Sequence, residues 1–294
     1  MEFNNETIRI AVQLYVKNEK EGEEKYGHIN TWNVSGVTDM HDLFYGAFTF
    51  NQPLNNWDVS NVTDMGELFY RAFTFNQPID NWDVSNVTSM YRVFDCAFTF
   101  NQPLNKWDVS NVKNMYGVFY HAESFNQPLD DWDVSNVTQI DRMFYNAKSF
   151  NQPLNKWDVG NVIKIDSMFN GAKLFNQPLD NWDVGNVTNM GRMFCGAESF
   201  NQPLNEWDVG NVINMEWVFQ HTNIGSMLEK HNLTYENYFD KNVYHELFVW
   251  PRKKEYIMFL ANNHYLPFNK HQEEHEHHPL FDNPDISKYI ACYL

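Results

Sequence analysis

Cysteine is scarce in this chain. Cys96, Cys195 and Cys292 are the three among 294 residues, too few for the disulfide framework that holds small secreted domains together. Long apolar runs are missing as well. No segment reaches the roughly 18 apolar residues that a membrane span requires, and membrane insertion is not expected. The opening "MEFNNETIRIAVQLYVKNEK" lacks a basic stretch followed by a long apolar one, the pattern that marks a secretory signal. The expectation is an intracellular or particle-associated protein and not one that is classically secreted. Positive charge is in short supply: 21 Lys and Arg stand against 38 Asp and Glu, a net charge of −17. No basic run exceeds "PRKK" at 251–254. Such a balance excludes nucleic-acid backbones and anionic membranes as natural partners. A Gly-rich phosphate loop, HExxH and CxxC are all absent, so no catalytic residue and no cofactor is expected.

What the chain has is a period. Trp32, Trp57, Trp82, Trp107, Trp132, Trp157, Trp182 and Trp207 recur every 25 residues. Each is followed by Asp, or by Asn33 in the first copy, but the WD dipeptide does not signal a propeller. A four-stranded blade needs about 40–45 residues, whereas about 25 suffice for one turn of a solenoid. The expected fold is therefore a repeat solenoid, leucine-rich-repeat-like, with a short parallel strand and a short helical turn in each 25-residue coil and helical caps at both ends. The expected divisions are an N-terminal helical cap over 1–30, eight coils over 31–224 and a mainly helical C-terminal region over 225–294.

Within the second repeat, Met65, Leu68, Phe69 and Ala72 fall at i, i+3, i+4 and i+7, the spacing of a helix face. Thr63 precedes them as an N-cap and Asp64 stands in the first turn. This predicts a helical turn over "TDMGELFYRA". Pro53 and its copies cannot donate to a sheet ladder, which places the strand after them, near Leu54–Trp57. "DVSNV" reads as a tight turn held by Asp58, Ser60 and Asn61. Asn51 and Gln52 recur through Asn201 and Gln202 and predict a ladder of stacked amides. Cys96 and Cys195 lie four coils apart. At about 4.8 Å per stacked strand they are roughly 19 Å from one another, beyond the about 4.4–6.8 Å of a disulfide.

Both ends break the pattern, as an open stack requires. "NETIRIAVQLYVKN" carries Ile8, Val12 and Leu14–Val16 as an amphipathic helix. After His221, Thr222 replaces the usual alanine and Gly225 the usual phenylalanine. Further on, helix starts are expected at Pro251 and at Asn283-Pro284.

The repeat "MxxxFxxAxxFNQPLxxWDVSNVTxM" is carried by Met65, Phe69, Ala72, Phe75, Asn76, Gln77, Trp82, Asp83, Val84, Ser85, Asn86, Val87, Thr88 and their copies. Over about residues 30–224 it resembles the BspA-like leucine-rich-repeat surface proteins, including the sub-group first described as a mycoplasma repeat of unknown function. The resemblance implies a right-handed solenoid that binds other macromolecules. Bacterial relatives of this kind are commonly exported surface proteins, some of them adhesive.

Candidate binding residues are those that vary on the constant frame. Tyr45, Tyr70, Tyr120 and Tyr145 share one outward position of the expected helical turn, and exposed tyrosines are frequent interface anchors. Between Leu54 and Trp57 and their copies, Asn and Asp alternate, so that Asp80, Asp130 and Asp180 form a line of charge at about 10 Å intervals. "HQEEHEHH" supplies weak metal-ligand candidates in His271, His275, His277 and His278, although a mixed polar run of this kind is more often a solvated loop. The repeated aspartates Asp58–Asp208 read first as turn-formers and second as a cation-binding ladder. The function expected is a non-enzymatic protein–protein interaction scaffold with a protein partner. The alternatives are a self-associating structural or particle component, and a metal-binding or enzymatic role for the C-terminal region.

Overall fold

The computed structural model describes residues 2–239. It begins with α1 (Asn5–Lys17) and α2 (Glu19–Tyr26). Asn4 caps α1 by accepting from the Glu6 and Thr7 amides, and the Thr7 hydroxyl accepts from the Asn4 amide in return, a reciprocal cap that satisfies the orphan donors of the first turn. Ile8, Ala11, Val12 and Tyr15 are buried, one stripe at helical spacing. Tyr15 packs edge-on against Trp32 at 5.7 Å. Gly22 of α2 lies so close to Tyr15 that a Cβ would stand 2.7 Å from the Tyr15 Cα. Asn5 ties α1 to the first repeat by accepting the Thr38 amide at 2.9 Å.

From Trp32 onward, consecutive 25-residue units are joined in register by single-residue parallel bridges, Asp39 to Asp64, Asp64 to Ser89, and so on to Asn214. This is not where the strand was expected. Leu54–Trp57 is a tight turn, closed by the Trp57 amide donating to the Leu54 carbonyl at 3.0 Å. The i, i+3 spacing of Leu54 and Trp57 is turn spacing, and the inter-unit pairing falls about ten residues later.

The helical turn is also replaced. Over 65–72 the amides of Leu68, Tyr70 and Ala72 donate three residues back, to the carbonyls of Met65, Glu67 and Phe69. The alternate amides of Met65, Glu67, Phe69 and Arg71 donate instead to Ser89, Tyr91, Val93 and Asp95 of the next unit, at 2.7–3.1 Å. A helix returns its interior amides to its own carbonyls four residues back. This segment uses half of them to hold its neighbour and is a ribbon of consecutive turns. Left-handed backbone at two positions per unit makes that possible, with φ of 55° at Glu67 and 59° at Arg71. Thr63 does not cap a helix here. Its amide and hydroxyl both donate to the Thr38 carbonyl of the preceding unit.

The core is a set of aromatic columns. Phe44, Phe69, Phe94, Phe119, Phe144, Phe169, Phe194 and Phe219 stack at 5.4–5.8 Å. Phe50 and its copies to Phe200 stack beside them at 6.0–6.1 Å. Each tryptophan from Trp57 to Trp207 donates its indole N–H to a carbonyl of the preceding unit, as Trp82 does to Leu54 at 3.0 Å. A buried indole N–H needs such a partner. The amide ladder is present: the Asn51 Oδ1 accepts from the Asn76 amide at 2.9 Å and from Gln77 Nε2 at 3.2 Å, a motif repeated in the later units. Asp58 accepts from the Ser60 amide and hydroxyl, while Asn61 Nδ2 reaches the preceding unit's Ser35 carbonyl. Those bonds to Ser60 hold the Asp58 carboxyl below its ordinary range.

At the far end Thr222 caps α3 (Asn223–Lys230), accepting the Gly225 amide at 3.0 Å. Gly225 is required because a Cβ would stand 2.1 Å from the Phe219 carbonyl oxygen. The two departures from the repeat are thus a helix cap and a close backbone approach. Phe239 then stacks on Trp207 at 6.4 Å, and the Tyr238 hydroxyl donates to the Gln202 carbonyl. The helix starts expected at Pro251 and Pro284 lie outside the described residues. Among the described residues no helix is long and apolar enough to cross a membrane.

Candidate binding face

The turn ribbon directs Met65, Leu68, Phe69 and Ala72 inward and leaves the intervening side chains to solvent or to the equivalent side chains of neighbouring units. Tyr45 stacks on Tyr70 at 4.7 Å, and Tyr120 on Tyr145 at 4.6 Å. The four tyrosines thus form two pairs with unequal exposure. Tyr45 is 53% exposed, Tyr70 is buried at 8%, and Tyr120 and Tyr145 are half-buried. Arg92 lies over the Tyr70 ring at 4.5 Å and Arg71 at 5.3 Å, so that Tyr70 is covered by guanidinium groups as well as by the Tyr45 ring.

Asp95 interrupts the column between the two pairs. It is wholly buried, its Oδ2 accepts from Arg92 Nε at 2.6 Å, and its Oδ1 has no hydrogen-bond partner among the described residues. Burial pushes this carboxyl above its ordinary value, against the pull of Arg92. Burial works against the Arg92 charge too, but the Asp95 carboxylate more than offsets it and raises the guanidinium. Beside them burial, and then the Asp95 carboxylate as hydrogen-bond acceptor and as charge, push the Cys96 thiol up to about 12. A thiol held neutral in this way is a poor nucleophile.

A second aromatic column was not singled out in the sequence. Phe48, Phe73 and Phe98 stack at 4.9 and 4.8 Å, with Phe48 51% exposed. The signal was the tripled "AFTF", which becomes "AES", "AKS" and "AKL" in the later repeats. There the same column carries charge, with Lys148 on Glu123 and Lys173 on Glu198, both at 2.8 Å.

The Asp row behaves differently from a free line of charge. Asp80 is paired with Lys106 at 2.6 Å and Asp130 with Lys156 at 2.9 Å, while Asp180 accepts from Asn155 at 3.2 Å. Two of the three carboxylates are therefore neutralised by a lysine of the following unit. Among the described residues no group of three or more His, Cys, Asp or Glu is placed to hold a metal ion. His271, His275, His277 and His278 lie outside the described residues.

A family model described as a Mycoplasma protein of unknown function, DUF285, matches the chain twice, over residues 13–132 and 114–231. The chain belongs to this family. No curated protein and no solved structure matches it. The two DUF285 matches together run from within α1 to α3 and so take in every tryptophan of the column.

Proposed function

We propose that this DUF285 chain is a non-enzymatic protein-binding scaffold, a leucine-rich-repeat-like solenoid whose turn ribbons carry the binding side chains. The observation that supports the reading most is the pair of aromatic columns on the outer side of the ribbons, with Tyr45 and Phe48 more than half exposed. Large rings held by stacking lose little conformational freedom when a partner covers them, which makes them effective anchors. The resemblance to BspA-like surface proteins points the same way. Asp80 and Asp130 contribute less than their spacing suggested, because each already has a cation.

The test is partner capture with purified chain. Tyr45→Ser, Phe48→Ser, Phe73→Ser, Phe98→Ser, Tyr120→Ser and Tyr145→Ser together are expected to abolish retention of the partners that wild type holds specifically. Retention of every such partner by this variant, with its circular dichroism unchanged, would overturn the aromatic face.

A further inference from the structure

The junctions between units follow one rule, and the first unit leaves it unfinished on its outer side. The amides of Met40, Asp42, Phe44 and Gly46 donate to the carbonyls of Asp64, Gly66, Leu68 and Tyr70 at 2.8–2.9 Å. The equivalent acceptors on the first unit are the carbonyls of Asp39, His41, Leu43 and Tyr45. Arg9 of α1 fills one of them, donating to the His41 carbonyl at 2.6 Å, and also pairs with Asp39 and Asp42. The Leu43 and Tyr45 carbonyls accept no hydrogen bond from any described residue. The side-chain stacks end at the same place, since Tyr45 and Phe48 each have a ring neighbour only in the second unit. Next to this edge, toward its C-terminal end, Val16 and Glu19 of α1 and α2 line a shallow cleft with Thr49 and Gln52. Val16 is 38% exposed, and Glu19 accepts from Gln52 but has no cation among the described residues.

We propose that this edge is a docking site for a short segment of another protein, which adds itself to the first unit as one more rung. Its alternate amides donate to the Leu43 and Tyr45 carbonyls, an apolar side chain covers Tyr45 and Phe48, and a lysine or arginine at its C-terminal end reaches Glu19. An open row of backbone acceptors is a template for added chain. The basic character follows from Glu19 and from the net charge of −17, which also disfavours a second copy of this chain as the occupant. The inference rests on the protein-binding reading but places the contact at the end of the ribbon stack.

The probe is a labelled synthetic peptide copying residues 65–73, with two lysines added at its C terminus. In the intact chain the Phe69 and Arg71 amides of this segment serve the carbonyls equivalent to Leu43 and Tyr45. Fluorescence anisotropy with the full chain is expected to show saturable binding. Methylating the peptide nitrogens at the Phe69 and Arg71 positions should weaken it about thirtyfold, the worth of two ordinary hydrogen bonds, and Tyr45→Ser with Phe48→Ser should weaken it at least as much. Absence of binding, equal binding of the methylated peptide, or binding indifferent to those substitutions would overturn the site. Sedimentation showing a dimer that Tyr45→Ser with Phe48→Ser dissolves would assign the edge to a second copy and overturn the proposed occupant. Partner capture that needs Phe98 and Tyr120 but not Tyr45 and Phe48 would leave the scaffold reading standing and remove this site alone.

Discussion

Single residues in this chain are constrained by what stands one unit away. Gly171 has φ of 70°, and a Cβ built on it would lie 1.9 Å from the Asn146 Oδ1 of the preceding unit. Gly171→Ala is therefore expected to lose about 2 kcal/mol, part from the left-handed backbone and part from the clash. Adding Asn146→Gly should recover only the clash. Urea unfolding of the two single variants and the double variant separates the parts, and additive losses would refute the contact. Asp141 gives a test by pH. Burial first, and the Asp166 carboxylate of the next unit second, push its carboxyl up to about 6. The folded chain then holds a proton that the unfolded chain has released between the ordinary carboxylate value and about 6, so stability falls as pH rises through that window. Asp141→Asn should reduce this slope, leaving the smaller part due to Asp95 and Asp166, whose carboxyls burial also raises, and should raise stability at pH 7 by about 1 kcal/mol, the full shift being discounted for partial solvation. A melting-temperature profile unchanged between pH 4 and 7 would contradict it.

At the scale of the repeated element, the amide ladder is the most exacting part. Asn126 donates its amide to Asn101 Oδ1, and its own Oδ1 accepts from the Asn151 amide at 2.9 Å and from Gln152 Nε2 at 3.1 Å. Asn126→Ala strands the Asn151 amide in a partly buried row, while Gln152 Nε2 keeps the Asn126 carbonyl at 3.2 Å, and should cost about 1–2 kcal/mol, read as a shift in urea midpoint. A loss under about 0.5 kcal/mol, the size of a neutral surface change, would mean that the ladder is ornamental. This ladder was legible in the sequence because it depends on identity at a fixed period, as were the tryptophan column, the Asp58-Ser60 turn and the breaks at Thr222 and Gly225. The form of the ribbon was not. Apolar residues at i, i+3, i+4 and i+7 face one way both in a helix and in a run of three-residue turns, so Met65, Leu68, Phe69 and Ala72 cannot tell the two apart. Gly46, Gly171 and Gly196 in one column and Gly117 in another were the available clue, since all four are left-handed here and glycine is poor in a helix interior. Tyr70 illustrates the limit for the binding face: its column was readable, but its cover includes Arg92 from the adjacent unit.

For the whole molecule, the consequence of the stacking is that a unit can be removed if the register is kept. Deleting residues 126–150 joins Phe125 to Asn151, the same Phe-Asn junction that every later repeat has. Trp107 then faces Trp157, Phe119 faces Phe169, and the Asn101 Oδ1 meets the Asn151 amide, so each core column closes with its usual partner. At the surface Glu123 comes opposite Lys173, which preserves an ion pair, while Lys156 loses Asp130 and Asp131 and gains Lys106 as a neighbour. These last groups are solvated and weigh little. Stability in such a stack is a sum over units and their interfaces. The shortened chain should therefore unfold cooperatively, with a urea m-value lower by about one-eighth of the repeat contribution, because the surface exposed on unfolding shrinks in proportion. Deleting only 126–137 removes about half a period, sets Trp columns against turn ribbons and should abolish the cooperative transition. Aromatic circular dichroism adds a second readout, since the stacked indoles survive the first deletion and not the second. If both deletions unfolded the chain alike, the repeats would have to be folding against something other than their neighbours, and the frame on which the binding face rests would be wrong.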